Sequence, residues 1–222
     1  MKPTLRPSEP RPVLRRSLLA CSLALPALAA ADGARRLMAP MTEGPFYPPP
    51  RWRARSTDWD ADLTQVRQGG RTETARGEHL GLQLTVVDRQ GRAIDGAEAE
   101  IWQCDSLAAY RHPHVAEEPG RFDPGFQGFG AARSGADGSA RFRTIRPVAY
   151  PGRTPHIHVK LRHAAFGELT SQLFVAGDPG NAGDGLWRRL DDADRRALAM
   201  QLQPATAEGL RWRVSHELVV PG

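Results

Sequence analysis

The feature that most constrains this chain is a series of short apolar alternations, each cut off by a glycine, proline or aspartate turn. Leu80, Leu82, Leu84 and Val86 alternate with Gly81, Gln83 and Thr85 before the turn residues Asp88-Arg89-Gln90-Gly91. A period of two sends one set of side chains into a core and the other away from it, which is the signature of a half-buried strand. A second alternation from Ala97 to Cys104 sets Ala97, Ala99 and Ile101 against Glu98, Glu100 and Trp102. Further strands are predicted over 139–145, 156–161, 172–175 and 211–220. Strands this short, with 22 glycines and 19 prolines in 222 residues, predict a mainly antiparallel β-sandwich. One short C-terminal helix is expected from Asp191 to Leu202, with Asp191 or Asp192 as its cap. Residues 31–77, rich in Pro, Arg and Thr, read as an irregular N-terminal arm, and 78–222 as the sandwich domain.

Residues 1–30 read as an export signal. Arg15-Arg16 precedes the apolar run Ser17 to Ala30, with small residues at Ala27 and Ala29 for a peptidase. The arginine pair followed by Ser17-Leu18-Leu19 is similar to a twin-arginine signal. The run is too short to span a bilayer, so no stable membrane span is expected once the signal is removed, and the protein is expected in the periplasm or outside the cell. Lipoprotein anchoring at Cys21 is the weaker reading, because little apolar sequence precedes it. Of the formal charge of +5, residues 1–30 hold +4 (Lys2, Arg6, Arg11, Arg15 and Arg16 against Glu9), leaving +1 for the rest. The basic excess thus belongs to the signal, and no nucleic-acid partner is expected. Cys104 is the one cysteine outside the signal, so no intrachain disulfide is expected and pairing between chains stays open.

The chemistry concentrates between Tyr150 and Leu161. On a strand, His156 and His158 share a face while Ile157, Val159 and Leu161 point to the core. Two imidazoles on a rigid strand suit a transition metal, although a His-x-His pair by itself is also met as two surface histidines. The chain has three tyrosines, Tyr47, Tyr110 and Tyr150, and Tyr150 lies six positions before His156 across a Pro-Gly turn. A phenol titrates near 10, so its use as a ligand at neutral pH requires a strongly Lewis-acidic cation such as ferric iron. Two other readings compete. One is a metal-free, transthyretin-like binding module suggested by an 80–104 hairpin. The other is a zinc hydrolase using the histidine pair with His112, His114 or His163.

Several motifs, in order along the chain, resemble the intradiol ring-cleavage dioxygenases. Thr42-Glu43-Gly44-Pro45-Phe46-Tyr47 is similar to the family's N-terminal segment. Ile101-Trp102-Gln103-Cys104-Asp105 through Tyr110-Arg111-His112 resembles the strand and loop that deliver its first tyrosine ligand. Phe142 to Pro147, Tyr150, Arg153 and Pro155-His156-Ile157-His158 resemble the central signature, and Ser171-Gln172-Leu173-Phe174 with Gly177-Asp178-Pro179 the strand after it.

The resemblance implies an Fe(III) cofactor held by Tyr110, Tyr150, His156, His158 and a solvent hydroxide, with a small catechol-type molecule and O2 as substrates. It further implies that Tyr150 is the ligand that leaves when catechol chelates the iron and that it takes a proton. Arg153 matches the family's arginine beside the reacting ring carbon, and Gln172 a polar residue that orients the oxygenated substrate. Ring cleavage between the two hydroxylated carbons gives a muconate-type diacid. The chain departs from larger members in having only residues 151–155 between Tyr150 and His156, which predicts a more open metal, and in lacking their helical dimerisation segment. Its oligomeric state is left open, a homodimer among the options. Trp102 is expected in the core, and an extracellular plant or soil phenolic is the expected substrate.

Overall fold

The computed structural model describes residues 35–54, 58–112 and 120–222. The export-signal reading of residues 1–30 and the Cys21 alternative lie outside them. Two sheets pack face to face. One has the order β10-β11-β3-β6, built from β3 (His79–Val87), β6 (Ser139–Ile145), β10 (Gln203–Pro204) and β11 (Trp212–Val219). The other has the order β5-β4-β7-β8-β9, from β4 (Glu98–Trp102), β5 (Phe129–Arg133), β7 (His156–His163), β8 (Gly167–Val175) and β9 (Ala199–Met200). Pairing is mainly antiparallel, and the exceptions are β11 on β3 and β8 on β9, both parallel.

The predicted alternation sets the core. Leu80, Leu82, Leu84 and Val86 of β3 are at most 1% exposed and face Ala99 and Ile101 of β4 and Ile157, Val159 and Leu161 of β7, all fully buried. Each large aliphatic side chain removed from water contributes about 1.5–3 kcal/mol, so this layer is the main source of cohesion. The expected 80–104 hairpin does not form. After β3 the chain turns at Asp88–Gly91, makes a single bridge from Val87 to Ala93, and crosses to the opposite sheet to begin β4. Asp88 drives the turn by accepting from the Gln90 and Arg92 amides at 2.9 Å each, so the chain reverses without a second paired strand.

Two further expectations are corrected. The predicted helix over 191–202 stops early: α3 spans Asp192–Leu198, capped by Asp191 accepting from the Asp194 amide, and Ala199–Met200 leaves it to pair with β8. Burial of Met200 against the core outweighs its helix propensity. Short helical turns also occur at Pro50–Arg53 (α1), at Pro179–Gly183 (a 3₁₀ turn) and at Gly185–Arg189 (α2). The arm, read as irregular, contains a hairpin of β1 (Gln65–Gln68) and β2 (Arg71–Thr74) around Gly69-Gly70, both at positive φ. Its strands are largely exposed, so no alternation announces them. Among the described residues no helix is long and apolar enough to cross a membrane.

Candidate metal centre

The second face of the five-stranded sheet is buried around Trp102, His156 and His158 and reaches solvent at Glu98 and Glu168, and it carries the polar chemistry. The register aligns Phe129, Trp102, His158 and Gln172 in one row across β5, β4, β7 and β8, with His156 opposite Phe174 one step further along. The next rows are charged: Glu100 beside Lys160, then Glu98, Arg162 and Glu168. A single sheet face is therefore divided into an aromatic, imidazole-bearing end and an ion-paired end. The split follows from where β7 carries His156, His158, Lys160 and Arg162 at every second position.

Tyr110 arrives from the loop after β4. Asp105 shapes that loop by accepting from the amides of Leu107 and Ala109 at 2.8 and 2.9 Å, and Ala108 takes φ +62° between them. Tyr150 arrives by a tight turn with Pro151 and Gly152 at its centre. Gly152 has φ +81°, and the Arg153 amide donates to the Tyr150 carbonyl at 2.9 Å. The turn puts Tyr150 and Arg153 side by side and delivers the chain into β7.

The four expected donors come together. Ring centroids lie 5.8 Å apart for Tyr110 and Tyr150, 6.2 Å for Tyr110 and His158, 5.5 Å for Tyr150 and His156, and 4.9 Å for the two histidines. The Tyr110 hydroxyl is 3.4 Å from His156 Nε2. His156 Nδ1 lies 2.6 Å from the Thr154 carbonyl, which can only accept, so Nδ1 holds the proton and Nε2 has its lone pair toward the tyrosines. Tyr110, His156 and His158 are buried, and Tyr150 is the partly exposed member. Solvent therefore reaches the group of four at Tyr150.

Burial and then the Arg153 charge push the His156 imidazole down to about 4. Burial, then His156 and Arg153, hold His158 well below its ordinary value, so both rings are neutral at pH 7. Burial first and Tyr150 second push the Tyr110 phenol well above 10. Two neutral imidazoles and two tyrosine oxygens form a donor set suited to a hard, strongly Lewis-acidic ion. Among the described residues His158 Nδ1 is buried with no hydrogen-bond partner, as expected of a ring held for another purpose than internal hydrogen bonding.

Arg153 and Gln172 join the same centre. Arg153 Nη1 is 3.5 Å from the Tyr150 hydroxyl, its Nη2 donates to Gln172 Oε1 at 2.5 Å, and its Nε donates to Asp184 at 2.8 Å. Gln172 Nε2 donates to the Thr42 carbonyl at 3.1 Å. The other histidines do not gather here. His163 is at the far end of β7, His112 is buried with its ring 6.0 Å from Phe46, and His114 lies outside the described residues. Among the described residues no group of three or more His, Cys, Asp or Glu is placed to hold a metal, so neither His112 nor His163 completes a zinc site with the pair.

For some contributors the motifs Thr42–Tyr47 and Ile101–Asp105 marked the segment but not the contact. Phe46 stacks on Tyr110 at 4.4 Å and 13°, and Gly44, at φ +75°, sits where a Cβ would be 3.4 Å from His158 Cε1. Trp102 is buried as expected, but on the imidazole side, stacked on His158 at 4.7 Å and 14°, with Tyr47 edge-on to it at 4.9 Å. Glu43 pairs with the buried Lys160, whose ammonium lies over the Tyr47 ring at 4.0 Å. The arm segment from Thr42 to Tyr47 therefore covers the donors. Cys104 is 1% exposed with its thiol pushed up to about 12, chiefly by burial, so it does not offer itself for a bond to a second chain.

A family model described as a dioxygenase matches residues 43–214, and 159 residues align at 33% identity with the protocatechuate 3,4-dioxygenase beta chain of Burkholderia cepacia, 67% of this chain. The chain belongs to the intradiol ring-cleavage dioxygenase family. It is also 26% identical over 125 residues, 48% of its length, to a catechol 1,2-dioxygenase of Candida albicans. The alignments span 66% and 40% of those two relatives' own lengths. Among solved structures, the dioxygenase domain of a dioxygenase and carbohydrate-binding protein fusion from the cellulolytic bacterium Streptomyces sp. SirexAA-E superposes with a TM-score of 0.59 at 28% identity, covering 84% of this chain and 99% of that one. Family membership removes the case for a metal-free binding module. All the motifs of the resemblance, from Thr42 to Gly177-Asp178-Pro179, fall in or at the edge of the matched span.

Proposed function

We propose that this protein is an Fe(III) intradiol dioxygenase that cleaves a catechol-type ring between its two hydroxyl-bearing carbons. The observation that carries the reading is the convergence of Tyr110, Tyr150, His156 and His158 on one buried face, with the Arg153 guanidinium against the Tyr150 hydroxyl. When bound by these four residues, ferric iron supplies the Lewis acidity that ionises phenols and activates a chelated catechol toward O2. The His156 proton stays on Nδ1, donated to the Thr154 carbonyl, so the Nε2 lone pair is free to ligate. In this reading the oxygen of Tyr150, the partly exposed member of the four, accepts a catechol proton, and Arg153 stabilises negative charge beside it. Gln172, tied to Thr42 and Arg153, fixes the guanidinium on its far side and orients the bound ring. Phe46 and Trp102 keep water from the inner faces of Tyr110 and His158. In the overall reaction both oxygen atoms of O2 enter the product, the bond between the hydroxylated carbons breaks, and a muconate-type diacid forms with no external reductant.

The same reading extends to export: residues 1–30 resemble a twin-arginine signal, export of the folded protein would let iron load inside the cell before other metals compete, and the substrate would then be an extracellular phenolic. The test is a visible spectrum of iron-loaded protein before and after anaerobic catechol, followed by oxygen uptake. The expected result is a tyrosinate-to-iron band that moves to longer wavelength with catechol, then one O2 consumed per catechol. A colourless protein that iron does not change would end this reading. Intact, uncleaved protein in the cytoplasm would end its export clause.

A further inference from the structure

Asp184 lies outside every motif of the resemblance, immediately before α2, and its side chain is fully buried. Its two oxygens are divided between two tasks. Oδ1 accepts from the Leu186 and Trp187 amides at 2.8 and 3.1 Å, which is all that capping α2 requires. Oδ2 takes no part in the cap: it accepts from Arg153 Nε at 2.8 Å and from the Thr154 amide at 3.0 Å. Burial opposes the Asp184 charge, but the Arg153 guanidinium and the Trp187 and Thr154 amides outweigh it and keep the carboxyl below its ordinary value. Both contacts lead to the metal centre. Arg153 reaches Tyr150 and Gln172 with its other nitrogens, and Thr154 uses its carbonyl to hold His156 Nδ1.

A guanidinium has five N–H donors in a rigid fork, so fixing Nε fixes the plane and aims both Nη groups. With Nε on Asp184 and Nη2 on Gln172, Nη1 is left toward the Tyr150 hydroxyl. We propose that Asp184 is the positioning residue of this centre: through Oδ2 it orients the Arg153 guanidinium on Tyr150 and anchors the Thr154 peptide that sets the His156 tautomer. The inference rests on the reading of Tyr150 and Arg153 as the proton-accepting and charge-stabilising groups.

Asp184→Asn separates positioning from capping. Asparagine is as good a helix cap as aspartate, so its oxygen replaces Oδ1 toward α2. Its amide NH2 then faces two donors, Arg153 Nε–H and the Thr154 N–H, and cannot bond either. The first measurement needs no iron and no turnover: solvent exchange of the arginine Nε–H signals by NMR in the metal-free, full-length protein. One slowly exchanging signal, identified by its loss in Arg153→Lys, is expected in the wild type and is expected to exchange fast in Asp184→Asn. Equal protection in both overturns the proposal, whether or not the protein cleaves catechol.

The second measurement uses iron-loaded protein. Asp184→Asn is expected to retain iron, to keep KM within about threefold and to lose about 10- to 100-fold in kcat, as outer-shell partners do. In an Arg153→Lys background the same change is expected to cost clearly less than in the wild type, because the part of its effect that runs through the guanidinium is already gone and only the hold on Thr154 remains. A kcat within twofold of wild type, or additive losses, overturns the proposal. A wild type without catechol-dependent oxygen uptake sinks the proposed function and leaves the exchange experiment to judge Asp184. Should Asp184→Asn not fold, Asp184→Ser keeps the cap and is too short for Arg153, with the same losses expected. If neither folds, Asp184 belongs to the fold alone.

Discussion

At the scale of single residues, the centre depends on groups whose ordinary chemistry has been displaced by burial. Tyr110 is 5% exposed with a phenol pushed well above its usual range, so it ionises only when a cation takes the place of its proton. Tyr110→Phe keeps the stack on Phe46, so the fold is expected to persist while the tyrosinate absorption per iron falls and kcat drops by more than ~100-fold, beyond the loss typical of an outer-shell partner. A variant with an unchanged spectrum would show that this tyrosine is no ligand. Gly44 is a second sensitive position. At φ +75° an alanine is strained by about 1–2 kcal/mol, and its methyl would press on His158 Cε1. Gly44→Ala is expected to lower the urea midpoint accordingly and to shift the iron absorption band; an unperturbed band would mean that the arm does not bear on His158.

At the scale of elements, β7 joins the two halves of the molecule. Its odd positions, Ile157, Val159 and Leu161, are fully buried in the core, and its even positions carry the imidazoles and the Lys160 and Arg162 ion pairs. Neither set can move without the other, so His156 and His158 inherit the rigidity of the sandwich. On the other sheet, β11 presents His216, whose Nε2 donates to the Ala197 carbonyl at 2.9 Å and whose pKa is lowered by burial. A lowered imidazole pKa means that the unfolded chain binds the proton more readily. The stability present above about pH 6.5 is therefore lost as pH falls from there through the folded pKa. His216→Gln keeps a donor for Ala197 and cannot titrate. Its stability difference between pH 8 and pH 5 is expected to be smaller than that of the wild type in urea titrations; equal differences would exclude His216 as a source of acid sensitivity.

For the molecule as a whole, the arm is part of the packing. Met38, Leu63 and Ala75 belong to the core cluster, and Gly130 of β5 is so close to the Asp60 carbonyl that a Cβ there would lie 2.5 Å from it. The arm's amides pair with both sheets, Met38 with the Val219 carbonyl and Met41 with that of Thr170, each at 2.8 Å. A fragment of residues 78–222 would expose the apolar surface under Met38, Leu63 and Ala75 and leave Lys160 without Glu43. Losing one large buried apolar side chain costs about 2–5 kcal/mol, a large share of a domain's net stability. The fragment is expected to be insoluble or to lack a cooperative thermal transition by calorimetry. A sharp transition near that of the full chain would show that the sandwich stands alone.

Much of this could be read from local patterns, because a strand's period and a turn's residues are local physics. The alternation at Leu80–Val86 determined which side of β3 faces the core, and Pro151-Gly152 determined that Tyr150 and Arg153 share a turn. The side chains at 110, 150, 156 and 158, taken with the family resemblance, made one shared site the expectation, and the fold brings them together. The sequence by itself did not determine which strands become neighbours: β3 and β4 follow one another in the chain but lie in opposite sheets, and the exposed β1–β2 hairpin has no periodic signal. Nor did it determine that Trp102 stacks on His158, that Phe46 and Gly44 cover the donors, or that Asp184 meets Arg153 across 30 residues. Those contacts join segments whose order along the chain does not specify their meeting, and only closure of the two sheets around one core brings them within bonding distance.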